Sequence, residues 1–300
     1  MEKLAQLLAS GLALGAIYAL VALGFVAIYR ASKVFNFAHG ELVTFGALFM
    51  VTLASPGTGM PWPLALVATM VATGALAALV ERIFLRPMVG RPVFVTVILT
   101  LFIGIILRTF IVAAWGTDPR GMPTPWDPMS AVTLGSARLS MNELLAIGAG
   151  ALALLAFHLL VKRSRLGVAM RATAADQEAA LAQGIPVGRI FSASWFIAGA
   201  LAAMAGVFLA MFPRTADVNM GFIALRAFPA VLVGGLESAS GAVVASLLLG
   251  LLEVLAQAFV NPALGQFGKG FHEVFPYLVM ILFLAFRPYG LFGQRRVERV

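Results

Sequence analysis

Few side chains in this sequence are equipped for covalent chemistry. There is no cysteine and there are three histidines. Thiolate nucleophiles, iron–sulfur clusters, Cys-ligated zinc and disulfide scaffolds are therefore excluded, and a His-based metal site has little to draw on. Gly268-Lys269 resembles the end of a phosphate-binding loop, but Ala263 stands where the first glycine is needed and Gly270 where Ser or Thr belongs. No G-x-S-x-G elbow and no H-E-x-x-H pair occurs. Three polar groupings remain. Asn36-Phe37-Ala38-His39-Gly40-Glu41 sets an amide, an imidazole and a carboxylate within six residues. Gly234-Gly235-Leu236-Glu237-Ser238, followed by Gly241, is a glycine-rich break carrying one carboxylate. Arg171 to Gly184 is polar and alanine-rich, with Asp176, Glu178, Ala179 and Ala180 at its centre. Arg108, Asp217, Arg226 and Glu253 stand alone in or near apolar surroundings.

The elements that position these groups follow from composition. Hydrophobic residues make up 61% of the chain and charged residues 11%, with a mean hydropathy of +0.97. Soluble domains run near 45–50% apolar and about 25% charged, and a single core of this length does not hide the excess. Lipid is the natural solvent. A spanning helix needs about 20 apolar residues, and the chain offers Leu4–Tyr29 and then 42–80, which carries no ionisable side chain. Pro56, Gly57, Gly59, Pro61 and Pro63 divide the latter into two helices. Val93–Trp115, Leu144–Val161, Ile190–Pro213 and Val274–Phe286 add further spans. Residues 226–260 are too long for one span, and Gly234, Gly235 and Gly241 break them into a short piece and a helix at Ala239–Phe259. The first apolar run lacks a charged leader and a small-residue cleavage site, so it is expected to be retained.

Sidedness follows from lysine and arginine. Arg30, Lys33, Arg82, Arg86, Arg91, Lys162, Arg163, Arg165, Arg171, Arg189, Arg287, Arg295, Arg296 and Arg299 fall on one side, 14 of the 21 basic residues. Arg120, Arg138, Arg214 and Lys269 fall on the other. The net charge of +8 thus reads as a topology signal rather than a nucleic-acid footprint. The C-terminus is expected to be cytoplasmic. The fold class is an all-α polytopic membrane protein, with eight full transmembrane helices plus one short or broken segment.

Residue by residue, Asn36–Glu41 is either a capped, interfacially anchored helix start or a broken helix that exposes polar groups to a water-filled path, where irregular backbone survives at membrane depth. Gly234–Gly241 repeats that design in the second half, as transporter repeats do. Arg171–Gln183 is built from good helix formers and stopped by Gly184 and Pro186. Composition alone allows a solvated connector as readily as a helix whose small side chains fit a partner's groove. Arg108 is expected to snorkel. Glu253 lies inside its span and needs an internal partner; Arg226 is expected to pair with it or with Asp217. His158 and His272 read as interfacial, and the scattered Phe and Met as lipid-facing or packing residues.

The spelling of these stretches resembles a known family. Glu178-Ala179-Ala180, three residues, then Gly184-Ile185 resembles the coupling loop of ABC importer permeases, which in that family forms a short helix in a cleft of the cytoplasmic ATPase. Asn36–Glu41 is similar to the signature of the branched-chain amino acid permeases. So are Glu81-Arg82 with Arg86-Pro87, Gly234–Ser238 with Gly241-Ala242, and Arg287-Pro288-Tyr289-Gly290-Leu291-Phe292-Gly293. These matches run in order from about residue 15 to 293. Glu237 departs from the pattern, since many relatives have glycine there.

The resemblance implies one permease domain over 1–300, with a cytoplasmic coupling loop at 162–190 and an external loop at 116–142. It implies a non-enzymatic membrane subunit, without cofactor or metal, of an importer for branched-chain or similar small amino acids in a bacterial inner membrane. Its partners would be a second permease subunit (identical or paralogous), two cytoplasmic ATPases, an extracytoplasmic solute-binding protein and the lipid bilayer. Arg171, Asp176, Glu178, Ala179, Ala180 and Gly184 would couple to the ATPase. Asn36, Phe37, His39, Gly40, Glu41, Gly234, Gly235, Glu237 and Glu253 would line the path. A urea or short-amide permease is the nearest alternative. A stand-alone secondary transporter or channel is the rival of another class, and it has no use for an ATPase-fitting helix.

Single introduced cysteines test the orientation cleanly in a chain without native ones. Ala175→Cys is expected to react with an impermeant maleimide only from the cytoplasm, and Pro125→Cys only from outside. The reverse pattern, or both from one side, overturns the assignment.

Overall fold

The computed structural model describes residues 2–134, 137–211 and 213–293. Arg295, Arg296 and Arg299 of the expected basic tail lie outside the described residues. The chain is a helical bundle. Its helices are α1 (Glu2–Ser32), α2 (His39–Ala54), α3 (Trp62–Val80), α4 (Val93–Trp115), α5 (Met141–Arg163), α6 (Arg165–Ala175), α7 (Gln177–Ala182), α8 (Val187–Leu209), α9 (Met220–Leu225), α10 (Phe228–Gly234), α11 (Ala239–Leu255), the single turn α12 (Asn261–Ala263) and α13 (Phe271–Phe286). π-helical turns at Glu81–Leu85 and Ala256–Val260 extend α3 and α11. A short antiparallel hairpin, β1 (Ala131–Leu134) with β2 (Ala137–Ser140), precedes α5.

Among the described residues six helices are long and apolar enough to cross a membrane: Lys3–Ser32, Trp62–Met88, Val93–Trp115, Met141–Arg163, Val187–Leu209 and Ala239–Ala263. Three shorter apolar stretches accompany them, His39–Ala54, Met220–Gly234 and Phe271–Phe286. The expected eight full spans plus one broken segment thus appear as six long helices and three short ones. Two of the short ones, α2 and α13, have 16 residues each, about 24 Å against roughly 30 Å of hydrocarbon. The broken segment is α9–α10, which the Arg226–Ala227 turn interrupts before the glycine break at 234–235.

Helix α1 is the central element. In its most apolar window 94% of residues are buried, against 22% for α4 at the periphery. It packs on α11, α8 and α5, while α8 also holds α2 and α3. Small residues allow these crossings. A Cβ added at Gly15 would stand 2.7 Å from Leu247 Cα, and one at Gly250 would fall onto the backbone of Gly15. Gly46 meets Ala203 of α8 in the same way, and Gly199 of α8 meets Thr73 of α3.

The bundle has two distinct ends. At one, tryptophans gather, as at a membrane interface: Trp62 Nε1 donates to Pro123 O at 3.1 Å, Trp115 Nε1 to Thr52 Oγ1 at 2.8 Å and Trp126 Nε1 to Asn142 Oδ1 at 2.9 Å. The hairpin lies here, and the connection before it is tied to the 213–219 segment by paired bonds between Arg120 and Ala216. Helix α5 then starts on a capping box, Ser140 with Glu143, so the loop expected at 116–142 ends at Ser140. At the other end lie Arg86, Lys33, Lys162, Arg163 and the α6–α7 pair. Arg86 bonds Glu81, Gly188 O at 2.7 Å and Ser192 Oγ at 2.6 Å, fastening the foot of α3 to α8.

The close crossing of α1 and α11 is testable. Gly250→Val forces those backbones apart, an overpacking cost of about 1–3 kcal/mol, whereas Gly148 faces open space and Gly148→Ala is tolerated. Thermal melting of the purified protein in detergent is expected to fall for the first variant and hold for the second. Equal melting would overturn the packing described.

Candidate functional site

The residues expected to line one path are distributed over three places. The first is the start of α2. The chain leaves α1 at Lys33 (φ 56°) and runs without regular structure to Ala38. Its backbone is satisfied locally and from α4: Asn36 Oδ1 accepts from Ala38 N at 3.0 Å, and Thr100 Oγ1 accepts from Phe37 N at 3.2 Å. Phe228, at the head of α10, packs its ring edge-on against Phe25 and Phe35, both at 5.7 Å, and lies 5.8 Å from Phe37. These phenylalanines clamp the irregular connector rather than face lipid. His39 is fully buried, 4.6 Å from the Phe25 ring, in space that the missing Cβ of Gly24 leaves open. The Val21 carbonyl faces it, but neither ring nitrogen has a hydrogen bond of standard geometry. Gly40 lies against Gly221 of α9, whose carbonyl oxygen would be 2.5 Å from an added Cβ.

Glu41 pairs with Arg108 of α4 (Nη1–Oε1 3.5 Å), and Arg108 Nη2 donates to Asn219 Oδ1 at 2.9 Å. Its guanidinium also stacks over Phe222, 4.8 Å from the ring centre. Arg108 therefore does not snorkel as expected. It lies seven positions before the end of α4 at Trp115, about 10 Å of helix, and acceptors on α2 and at the head of α9 hold it there. Sequence spacing gives no sign of this, because the partners lie 67 and 111 residues away.

The second place is the turn between α10 and α11. Gly235 has φ 100°, a conformation only glycine adopts without strain. The free carbonyls at the end of α10 are met by the C-terminal segment: Leu291 N donates to Val233 O at 2.7 Å and Phe292 N to Gly234 O at 3.3 Å. Glu237 is half exposed and pairs with Lys33 at 2.5 Å, so the departure from glycine supplies an ion pair to the foot of α1. Ser238 caps α11 through Gly241 N at 3.0 Å.

Glu253 forms the third. It is buried on α11, where Tyr18 donates to it at 2.7 Å and Arg226 lies at 3.4 Å. Arg226 also reaches Glu273 at 2.9 Å. Of the two partners expected for Arg226, Glu253 is the one found; Asp217 instead caps the backbone of Asn219 at 2.6 Å. The group lies at the bottom of a cavity of about 720 Å³ that rises past Arg214, Asp217 and Glu143 to the tryptophan-rich end.

At the basic end, the helix expected over Arg171–Gln183 is two helices. Asp176 is extended and accepts from Ala179 N at 3.0 Å, so it ends α6 and caps α7, a choice Asp makes more readily than continuing a helix. Arg171 is on α6, exposed, and donates to the Val161 carbonyl at the end of α5. Helix α7 closes with Ile185 N on Ala180 O and Gly184 N on Leu181 O, with Gly184 at φ 79°, a Schellman cap. Glu178, Ala179, Leu181 and Gly184 are exposed, Leu181 by 58%. Ala180 turns inward and packs with Ile185, Val187 and Phe191 against Ala31 of α1.

Residues 7–284 match the family described as branched-chain amino acid transport system, permease component. The chain belongs to this family. It is 29% identical over 307 residues to the high-affinity branched-chain amino acid transport system permease protein LivH of Escherichia coli, covering 98% of this chain and 97% of that one. The corresponding protein BraD of Pseudomonas aeruginosa is 31% identical over 306 residues, with 98% and 97% covered. Among solved structures, PsaBC from Streptococcus pneumoniae in complex with Fab aligns over 92% of this chain and 90% of that chain, at 14% identity and a TM-score of 0.49. As a member of the family the chain is a multi-pass membrane transport permease.

The buried charge group carries a stability prediction. Arg226→Leu leaves Glu253 without its cation, a loss of about 3–5 kcal/mol for a buried pair. Glu273→Gln removes an exposed partner, worth under about 1 kcal/mol. Melting temperature and membrane yield are expected to drop sharply for the first and barely for the second; the opposite order would overturn the assignment of Glu253 as the buried member.

Proposed function

We propose that this chain is the membrane-spanning subunit of an ATP-driven importer for branched-chain or similar small amino acids. The substrate class comes from what its relatives are named for. The observation that carries the energy coupling is α7, a short helix at the lysine- and arginine-rich end whose Glu178, Ala179, Leu181 and Gly184 face away from the chain. By the positive-inside bias that end is cytoplasmic, as is the C-terminal segment that packs beside it. In this reading the 162–190 segment serves a cytoplasmic ATPase, the 116–142 region faces an external binding protein, and 1–300 is one permease domain. A second permease subunit completes the path, and the chain performs no covalent chemistry.

The packing of α7 suggests how force enters. Ala180 and Ile185 are seated against Ala31, Val187 and Phe191, so displacement of α7 bears on the feet of α1 and α8 together. Those two helices hold α2, α3 and α11. At the far end of that chain of contacts lie Gly40, Gly221 and the Glu41–Arg108 pair, which supply an anion and a cation at membrane depth for passing contact with a zwitterion. Ionisable groups so placed generally mark a transport path. Tight selection of the solute is assigned to the binding protein.

Gly184 tests the coupling. A β-branched residue at φ 79° costs about 1–2 kcal/mol, yet an added Cβ meets nothing within 4 Å in this chain, so Gly184→Val is expected to reach the membrane at normal levels. It should lose transport and retain about tenfold less ATPase on copurification, equivalent to about 1.4 kcal/mol at the interface. Gly184→Asn, which tolerates the left-handed conformation, should retain most activity, and Glu178→Ala should show a mild defect. Normal transport by Gly184→Val removes the coupling assignment.

A further inference from the structure

At the basic end a cavity of about 530 Å³ opens between α1, α5, α6 and the start of α11. Its lining includes Arg30, His158, Lys162 and Arg171, with Glu237 and Ser240 opposite. The charge is unbalanced. Among the described residues Glu237 is the acidic one of the lining, and it is already engaged by Lys33 at 2.5 Å. Arg30 lies within electrostatic range of both Arg171 and Glu237, so its guanidinium faces a second one and a carboxylate already committed to Lys33. Among the described residues, the ion pairs of the chain involve none of Arg30, Lys162 or Arg171. The Val161 carbonyl that receives Arg171 fixes its position without neutralising it. Such a set of donors matches a phosphate, which accepts several N–H bonds at once.

What lies beside the cavity decides the kind of phosphate. On α5, Leu152, Leu155 and Leu159 are 67%, 55% and 40% exposed. Their spacing puts them on the helix face that ends in His158 and Lys162. On α11, Val244 and Leu248 are 41% and 49% exposed and follow Ser240 at intervals of four residues. Exposed apolar stripes thus run from the cavity toward the membrane interior. An acidic side chain of a soluble protein has no use for those stripes, and neither has free phosphate. Basic pockets between transmembrane helices at the headgroup level suit anionic lipids. We propose that this cavity binds the head group of an anionic phospholipid, with its acyl chains laid along the exposed face of α5.

Native mass spectrometry of the detergent-purified chain tests this directly. Phosphatidylglycerol and phosphatidylcholine with identical acyl chains are added in turn, and millimolar inorganic phosphate serves as competitor. Retention of phosphatidylglycerol is expected to exceed that of phosphatidylcholine by about tenfold or more, from two or more basic contacts. Lys162→Gln combined with Arg30→Gln should abolish the preference. Arg163→Gln, equal in charge change to Lys162→Gln and one residue from it, should preserve it. Because Arg30 is half-buried, Lys162→Gln alone is measured as well, at an exposed position that folding does not depend on, and a partial loss is expected. Leu155→Gln should weaken retention of both lipids. Equal retention of the two lipids overturns the proposal, as does an unchanged preference in Lys162→Gln. Displacement of phosphatidylglycerol by inorganic phosphate alone overturns the lipid assignment in favour of a free-phosphate site.

Discussion

Helix α1 is apolar on nearly every side, so lipid would solvate it as well as protein does, and its place at the centre of the bundle rests on how closely other helices can pack against it. Hydrocarbon offers no hydrophobic drive for helices to associate, so they are held by van der Waals contact, which needs small residues at the crossings. Gly11, Gly15 and Gly24 provide such surfaces on α1, toward α11 and toward the His39 ring. With α11, α8 and α5 fixed around it, α1 becomes the reference frame of the molecule. The foot of α1 then carries both Arg30, which lines the basic cavity, and Lys33, which pairs with Glu237. The positions of the other groups follow from where α1 stands.

A second constraint operates where the helices are broken. Backbone N–H and C=O groups inside a membrane have no water to bond, so irregular chain survives only where the protein supplies partners. The connector before α2 is served by Asn36 and Thr100, and the end of α10 by the backbone of Leu291 and Phe292. Each break therefore draws a distant element against it. The same breaks admit charge at depth. Arg108 of α4 reaches Glu41 in the first turn of α2 and Asn219 at the head of α9.

The long helices were legible because the bilayer demands about 20 apolar residues from each span, and runs such as Val93–Trp115 have nothing else to be. The glycine break at 234–235 and the start of α11 at Ala239 were legible for local reasons, since turn chemistry is written within a few residues, whereas the Ser238 cap came from the structure. Partners far apart in the chain were not. Arg108 alone looks like a residue that snorkels, and neither Glu41 nor Asn219 announces that it comes to meet it. Glu273 as a second partner of Arg226 was hidden in the same way. The division of α6 from α7 had a readable signal that alanine content masked: Asp176 followed by Gln177 and Glu178 is the acidic start of a new helix.

The bonds from Leu291 and Phe292 to the end of α10 bear on how the chain is made. Val233 leaves the ribosome 58 residues before its partner Leu291, and Gly234 58 before Phe292, an interval of roughly 3–12 s at ordinary translation speeds. During that interval the carbonyls of Val233 and Gly234 lack the N–H donors that later meet them, and α11 and α13 must enter the bilayer beside an unfinished turn. The turn after α10 is thus completed only when the final segment arrives, however early α10 itself has formed. A nascent chain that stalls between α13 and residue 291 would present an open glycine turn at the membrane surface, a feature by which an incomplete copy differs from a finished one.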